Sequence, residues 1–205
     1  MKTKHIYLFL SLFTMILFAC DPETKEEKVD ALIEDANNAK YKNVYTDAIE
    51  YNDAIIGLQA KIVIEILNFM PMNDLDSLRR QVGIIQKEIL SSTEILEGIS
   101  CSKDKNNKFK NQGIVLFNHY KKGNKTWEMF LEHEDTDGIE SLLDFNDENM
   151  SENLNSLSNS IIEIEGEGAR INEDFLTAQQ FFAKEAGMMI STEENPLNEE
   201  IDKYE

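Results

Sequence analysis

Four stretches of this chain repeat apolar residues in alternating steps of three and four, and few folds are compatible with that rhythm. From Val44 the apolar positions are 44, 48, 51, 55, 58, 62, 66 and 69. Such spacing puts one continuous apolar stripe along a helix. Pro71 follows Met70 and stops it, because the residue before a proline avoids the helical region. A second stripe opens after Asn73 or Asp74, either a good N-cap. It runs through Leu75, Leu78, Val82, Ile85, Ile89, Ser92, Leu96 and Ile99, with Gly98 and residues 100–103 as its end and loop.

The third stripe is Phe109, Gly113, Leu116, Tyr120, Gly123, Trp127 and Phe130. A glycine inside a helix costs roughly 1 kcal/mol relative to alanine, which predicts a kink or fraying at Lys122-Gly123-Asn124. The fourth stripe holds its register through Leu154, Leu157, Ile161, Ile164, Gly168, Ile171, Phe175, Ala178 and Phe182, with a bend expected at Gly166-Glu167-Gly168. Helices of about 26 to 29 residues are roughly 40 Å long at 1.5 Å per residue. Short connections set successive helices antiparallel, and four stripes then close one core. The sequence predicts an all-α fold, an antiparallel up-down-up-down four-helix bundle over residues 41–190. An acidic link covers Glu132 to Glu148, with a short helical turn at Ile139-Leu142-Leu143, and a disordered acidic tail covers 191–205.

Charge narrows the class of partner. The 205 residues carry a formal charge of −19. With residues 1–19 set aside, 18 basic residues face 39 acidic ones, a net charge near −21. Such a surface repels nucleic acid and anionic lipid head groups, so no nucleic-acid partner is expected.

The start of the chain has a different composition. Lys2 and Lys4 precede an apolar run from Ile6 to Phe18, and the charged sequence Asp21-Pro22-Glu23 follows. The run is about 13 residues long, shorter than the roughly 20 a helical span needs. It ends in Leu17-Phe18-Ala19-Cys20, which resembles the lipobox of bacterial lipoproteins: leucine, a variable residue, alanine or glycine, then cysteine. The resemblance implies cleavage between Ala19 and Cys20 and a diacylglyceryl group on the Cys20 sulfur. Residues 1–19 are then a lipoprotein signal peptide. Two or three acyl chains give stable membrane residence where a single chain does not.

Residues 20–40 read as a lipidated, flexible tether. Twenty residues reach about 25 Å by random-coil scaling. Val29, Leu32, Ile33 and Ala36 add the material for an amphipathic turn or two. Lys25-Glu26-Glu27-Lys28 resembles the acidic surface-export tag of Bacteroidetes-type lipoproteins, set further from the cysteine than that tag normally sits.

Three stretches carry a wider likeness: Tyr51-Asn52-Asp53-Ala54-Ile55, Phe109 to Tyr120, and Phe175 to Ala183. They resemble uncharacterised helical surface lipoproteins of spirochaete and Bacteroidetes type. The resemblance implies a cell-envelope protein, at the outer membrane on its surface or periplasmic face. It brings no catalytic residues with it.

No catalytic constellation is found. A di-iron bundle needs Glu-x-x-His turns, and Leu116 and Phe130 stand three before His119 and His133. No nucleophile–base order, phosphate-cradling glycine loop or zinc spacing occurs, so no enzyme activity and no cofactor are expected. Counted from His133, Asp135, Asp137, Gly138 and Asp144 fall near EF-hand ligand positions. The first position is histidine, however, and the twelfth is aspartate rather than glutamate. They are weak cation candidates in what reads as an acidic interhelix loop. Cys101, if Cys20 is lipidated, reads as a buried free thiol. The expected function is a lipid-anchored envelope protein that works by binding or structural display. It would be held by its N-terminal lipid and would meet a protein or small-molecule partner that the sequence does not identify. The alternative is solute or cation binding, in a bundle cavity lined by Trp127, Tyr120 and the gaps at Gly113 or Gly168, or in the 133–144 loop.

Overall fold

The computed structural model describes residues 22–69, 75–133 and 152–188. The signal peptide with Ala19 and Cys20, the loop bearing Asp135, Asp137 and Asp144, and the acidic tail 191–205 lie outside the described residues. The described chain is mostly helical, in the all-α class that the four stripes predict. In order it forms α1 (Pro22–Ala39), a two-residue strand β1 (Val44–Tyr45), α2 (Ala48–Phe69), α3 (Leu75–Gly98), β2 (Ser100–Cys101), a 3-10 turn (Lys105–Asn107), α4 (Lys108–His133) and α5 (Glu152–Ala186). None of the described helices is long and apolar enough to cross a membrane.

Each helix packs mainly on the next in sequence, α1 on α2, α2 on α3, α3 on α4 and α4 on α5. The apolar stripes meet in one core. Tyr51, Ile55, Leu58 and Ile62 come from α2, Ile89 and Leu96 from α3, Phe109, Leu116 and Phe117 from α4, and Phe175 from α5. Its densest part is aromatic. Phe109 lies 5.4 Å from Phe175 and 5.5 Å from Phe182 between ring centroids, and Tyr51 lies 5.5 Å from Phe182. Edge-on and offset ring pairs of this kind add about 0.5–1.5 kcal/mol each to burial alone. The amide of Gln179 on α5 donates to Asn52 on α2 at 2.8 Å, so the first and last stripes also meet.

Polar groups inside the core are partnered, as burial demands. Gln59 donates to the Tyr120 hydroxyl at 3.2 Å, and the Asn124 amide donates to the Val82 carbonyl and the Gln86 side chain, both at 3.2 Å. Lys61 reaches Glu88 at 3.0 Å across α2 and α3, and Glu88 accepts from the buried Ser92 hydroxyl at 2.8 Å. Arg79 on α3 binds the Leu131 carbonyl on α4 through two guanidinium nitrogens, at 2.8 and 3.0 Å.

Three expectations are corrected. Residues 22–39 are not a flexible tether but the helix α1, seated on α2. Leu32, Ala36 and Ala39 share one face of α1, and Ala36 and Ala39 are fully buried. The chain can close there because α2 presents Gly57, whose missing side chain leaves room for the Leu32 backbone. Second, the first stripe does not begin as helix at Val44. Val44 and Tyr45 pair in parallel with Ser100 and Cys101, and α2 starts at Ala48. Asp47 dictates that start, since its carboxylate accepts from the amides of Ile49 at 2.7 Å and Glu50 at 3.1 Å, an N-cap. Third, α4 and α5 run as single helices through Gly123 and through Gly166 and Gly168.

Candidate functional site

The loop between α3 and α4 is the best-defined polar construction in the described chain. Asp104 is buried at its centre. Its carboxylate accepts from the Phe109 amide at 3.0 Å, the Lys110 amide at 3.1 Å and the Tyr51 hydroxyl at 3.1 Å. Those amides belong to the first turn of α4, which has no helical acceptors of its own. One carboxylate thus caps α4 and ties it to α2. Burial pushes the Tyr51 phenol far above the ordinary tyrosine range, and the Asp104 charge pushes the same way. The hydroxyl therefore stays a donor. Asn106 and Asn107 take positive φ values of 58° and 52°, a conformation asparagine tolerates better than most residues.

Three Lys-x-Lys pairs gather around this loop. Lys103 and Lys105 stand in it and Lys108 and Lys110 open α4, while Lys40 and Lys42 follow α1. The β1–β2 pairing brings the two groups together, with the Ser100 amide donating to the Asn43 carbonyl at 2.9 Å. Asp47 lies between them. Its carboxyl is held below the usual range first by the Glu50 and Ile49 amides, and then by Lys103 and Lys42. Lys42 pairs with Glu50, Lys105 meets Glu185 at 3.0 Å, and Lys110 donates to the Ile99 carbonyl at 3.1 Å. Lys108 sits 4.5 Å above the ring of Phe181, a half-exposed aromatic on α5. Beside them is a shallow depression of about 200 Å³, floored by Phe109, Ala178 and Phe182 and rimmed by Lys103, Lys105 and Lys108.

The site residues expected from sequence fare differently. Cys20, Ala19, Asp135, Asp137 and Asp144 lie outside the described residues. Among the described residues no three His, Cys, Asp or Glu side chains converge to hold a metal ion. The glycine gaps are filled: a Cβ at Gly113 would meet Leu96 at 3.1 Å, and one at Gly168 would meet the His119 ring at 2.8 Å. Trp127 packs against Phe69 with centroids 4.9 Å apart, and Tyr120 is buried on Gln59. Cys101 is a buried free thiol in β2. His119 is buried between α4 and α5, and burial holds its imidazole below the ordinary histidine range. The lysine-rich loop was not singled out from the sequence, although three Lys-x-Lys pairs in so acidic a chain are a readable signal.

Comparison with protein-family models, with curated proteins and with solved structures finds no match to this chain.

Proposed function

We propose that this chain is a lipid-anchored cell-envelope protein, without catalytic activity, that acts by binding or structural display. The observation that carries the reading is the sequence Leu17-Phe18-Ala19-Cys20 at the end of a lysine-led apolar run. Cys20 is the lipidation site, cleavage falls between Ala19 and Cys20, and the outer membrane is the membrane we assign. The architecture we propose for the displayed body is an antiparallel up-down-up-down bundle of α2 to α5, with α1 added outside it. Pairs such as Gln81 with Glu65, Leu96 with Gly113, Lys122 with Glu167 and Asn52 with Gln179 support that order.

Pro22, where α1 starts, is two residues from Cys20, and α1 has 18 residues. At 1.5 Å per residue its far end is about 27 Å from its start. The lysine-rich loops would then be carried away from the anchor, where a partner can reach them.

Replacing Cys20 with alanine is the test. In cells fed a fatty-acid analogue, Cys20→Ala should lose lipid labelling and leave the membrane fraction. Full membrane retention of the unlabelled variant would overturn the lipoprotein reading and make the apolar run an uncleaved anchor. Solute or cation binding is the second reading. It rests on the acidic sequence around Asp135, Asp137 and Asp144, and calcium that leaves the melting temperature unchanged would remove its cation form.

A further inference from the structure

In a chain of net charge −19, six lysines gather at one place, at positions 40, 42, 103, 105, 108 and 110. Two of them are engaged by carboxylates, Lys42 by Glu50 and Lys105 by Glu185. Among the described residues Lys40, Lys103 and Lys108 have no carboxylate within ion-pair distance. Lys108 is spent on the face of Phe181 instead. Asp104 is turned inward onto the α4 amides, while the exposed Asp47, which caps α2, offsets part of the Lys42 and Lys103 charge. The result is a rim of Lys103, Lys105 and Lys108, interrupted by Glu185 and the inward-turned Asp104, around an apolar floor of Phe109, Ala178 and Phe182. This combination suits a short acidic peptide that brings an apolar side chain between its carboxylates. A long polyanion such as nucleic acid would meet the acidic remainder of the chain and be repelled.

Such a peptide lies in the same chain. Residues 191–205 contain six acidic residues against one lysine, with Leu197 and Ile201 among them. They follow α5, whose last turns supply Phe181, Phe182 and Glu185 to the depression. Met188 packs on the core beside them. Leu197 is nine residues beyond Met188, a contour of about 30 Å. The return from Met188 to Phe181 is only about 10 Å along the helix. A tether that short gives an effective concentration of order millimolar, so even weak charge pairing is populated.

We infer that the depression between the α3–α4 loop and α5 is a docking surface for acidic peptide, and that its occupant is the chain's own segment 191–205. The docked segment covers Phe181 and pairs its carboxylates with Lys103 and Lys108. An external acidic partner must then displace it. The inference does not depend on how the chain is anchored, so a failed Cys20 experiment leaves it standing.

The test uses the full 205-residue chain with Ile201→p-benzoylphenylalanine as a photo-crosslinker, read by peptide mass spectrometry. At low salt the cross-link should be intramolecular and map to residues 103–110 or 178–185. Raising salt to about 0.5 M, where screening acts over ~4 Å, should lower its yield about fivefold. Lys103→Glu with Lys108→Glu should do the same while helix content, followed by circular dichroism, is unchanged. Adding Glu199→Lys and Glu200→Lys to that variant should restore at least about half of the yield, by re-forming opposite-sign pairs. Cross-links spread over the helices, or insensitive to both salt and charge reversal, would overturn the inference. Cross-links only between two chains would overturn it as well, and would assign the surface to a second copy. The salt arm reads wild-type lysines, so the answer stands even if the charge-reversed chain folds poorly.

Discussion

Exchanging Gly57 for alanine asks whether α1 belongs to the folded body. In an unobstructed helix interior the exchange is favourable by about 1 kcal/mol, because alanine gives up less backbone freedom. At Gly57 the new methyl would overlap the Leu32 carbonyl oxygen, and it would lie 2.9 Å from the Leu32 carbonyl carbon and 3.0 Å from the Ala36 Cβ. Two of these three atoms are backbone of α1 and cannot turn aside like the end of a side chain. Ordinary contact begins near 3.4 Å, so α1 has to retreat as a unit by about an ångström. Overpacking of this kind costs about 1–3 kcal/mol. The retreat also opens the seat of Ala36 and Ala39, both fully buried.

Gly83 provides the internal control, since a Cβ there would meet nothing within 4 Å. Gly83→Ala should stabilise the protein by up to about 1 kcal/mol. The propensity term is common to both exchanges, so the difference between them isolates the contact, and it should be about 1–3 kcal/mol. Urea titration of both variants gives that difference as a shift in midpoint at constant slope. Hydrogen exchange locates it, and amides 30–39 should lose protection in Gly57→Ala alone. Equal midpoints for the two variants, with α1 protection intact, would refute the seating of α1 on α2.

Other perturbations test separate parts of the argument. Gly168→Ala puts a methyl 2.8 Å from the His119 ring; a side chain yields more easily than a backbone, so its urea midpoint should fall between those of Gly83→Ala and Gly57→Ala. Asp104→Ala leaves two helix amides and the Tyr51 hydroxyl without their acceptor, at a cost of about 2–4 kcal/mol. Tyr51→Phe removes one of three donors and should cost only about 1 kcal/mol; equal losses in denaturant titration would refute the central role given to Asp104. The buried His119 imidazole is held below its ordinary range mainly by desolvation, and Lys122 adds to this while Glu167 opposes it. The unfolded chain therefore binds a proton near pH 6.5 that the folded chain refuses. This contribution is present above that pH and is lost as pH falls toward the lower folded value. His119→Gln should flatten the slope of stability between pH 7.5 and about 5.5; an unchanged slope would show that His119 is not buried neutral.

The helices were legible in the sequence because each core stripe is a local pattern. Tyr51, Ile55, Leu58 and Ile62 recur at helical spacing, and all four are buried. What the pattern could not show is where a stripe ceases to be helix. Val44 continues the arithmetic of the first stripe, yet it pairs with Ser100, more than fifty residues away. The capping carboxylate of Asp47 was the local mark of the true start. α1 was misread for a related reason. Its contact face is mostly small, Ala36 and Ala39 beside the Leu32 backbone, and carries little hydrophobic signal, and its seat depends on a glycine in another helix. Eight of its 18 residues are charged, which gave it the composition of a linker.

The lysine-rich surface shows the same limit at the level of the site. Lys40 and Lys42 are some sixty residues from Lys103 and Lys105, and in sequence each pair is a small interruption of an acidic chain. Averaged over the molecule they vanish into a charge of −19. The two-residue strands change this, because the Asn43–Ser100 hydrogen bond and the Tyr51–Asp104 bond fix both loops to one frame. Net charge governs what the molecule repels on approach, out to about the Debye length of 8–10 Å in physiological salt. At contact the arrangement of individual lysines decides. A chain can therefore repel nucleic acid as a whole and still hold a short acidic peptide at Lys103 and Lys108. Because screening at about 0.5 M salt acts over ~4 Å, the loss of cross-link yield there reports the short-range attraction between exposed lysines and carboxylates.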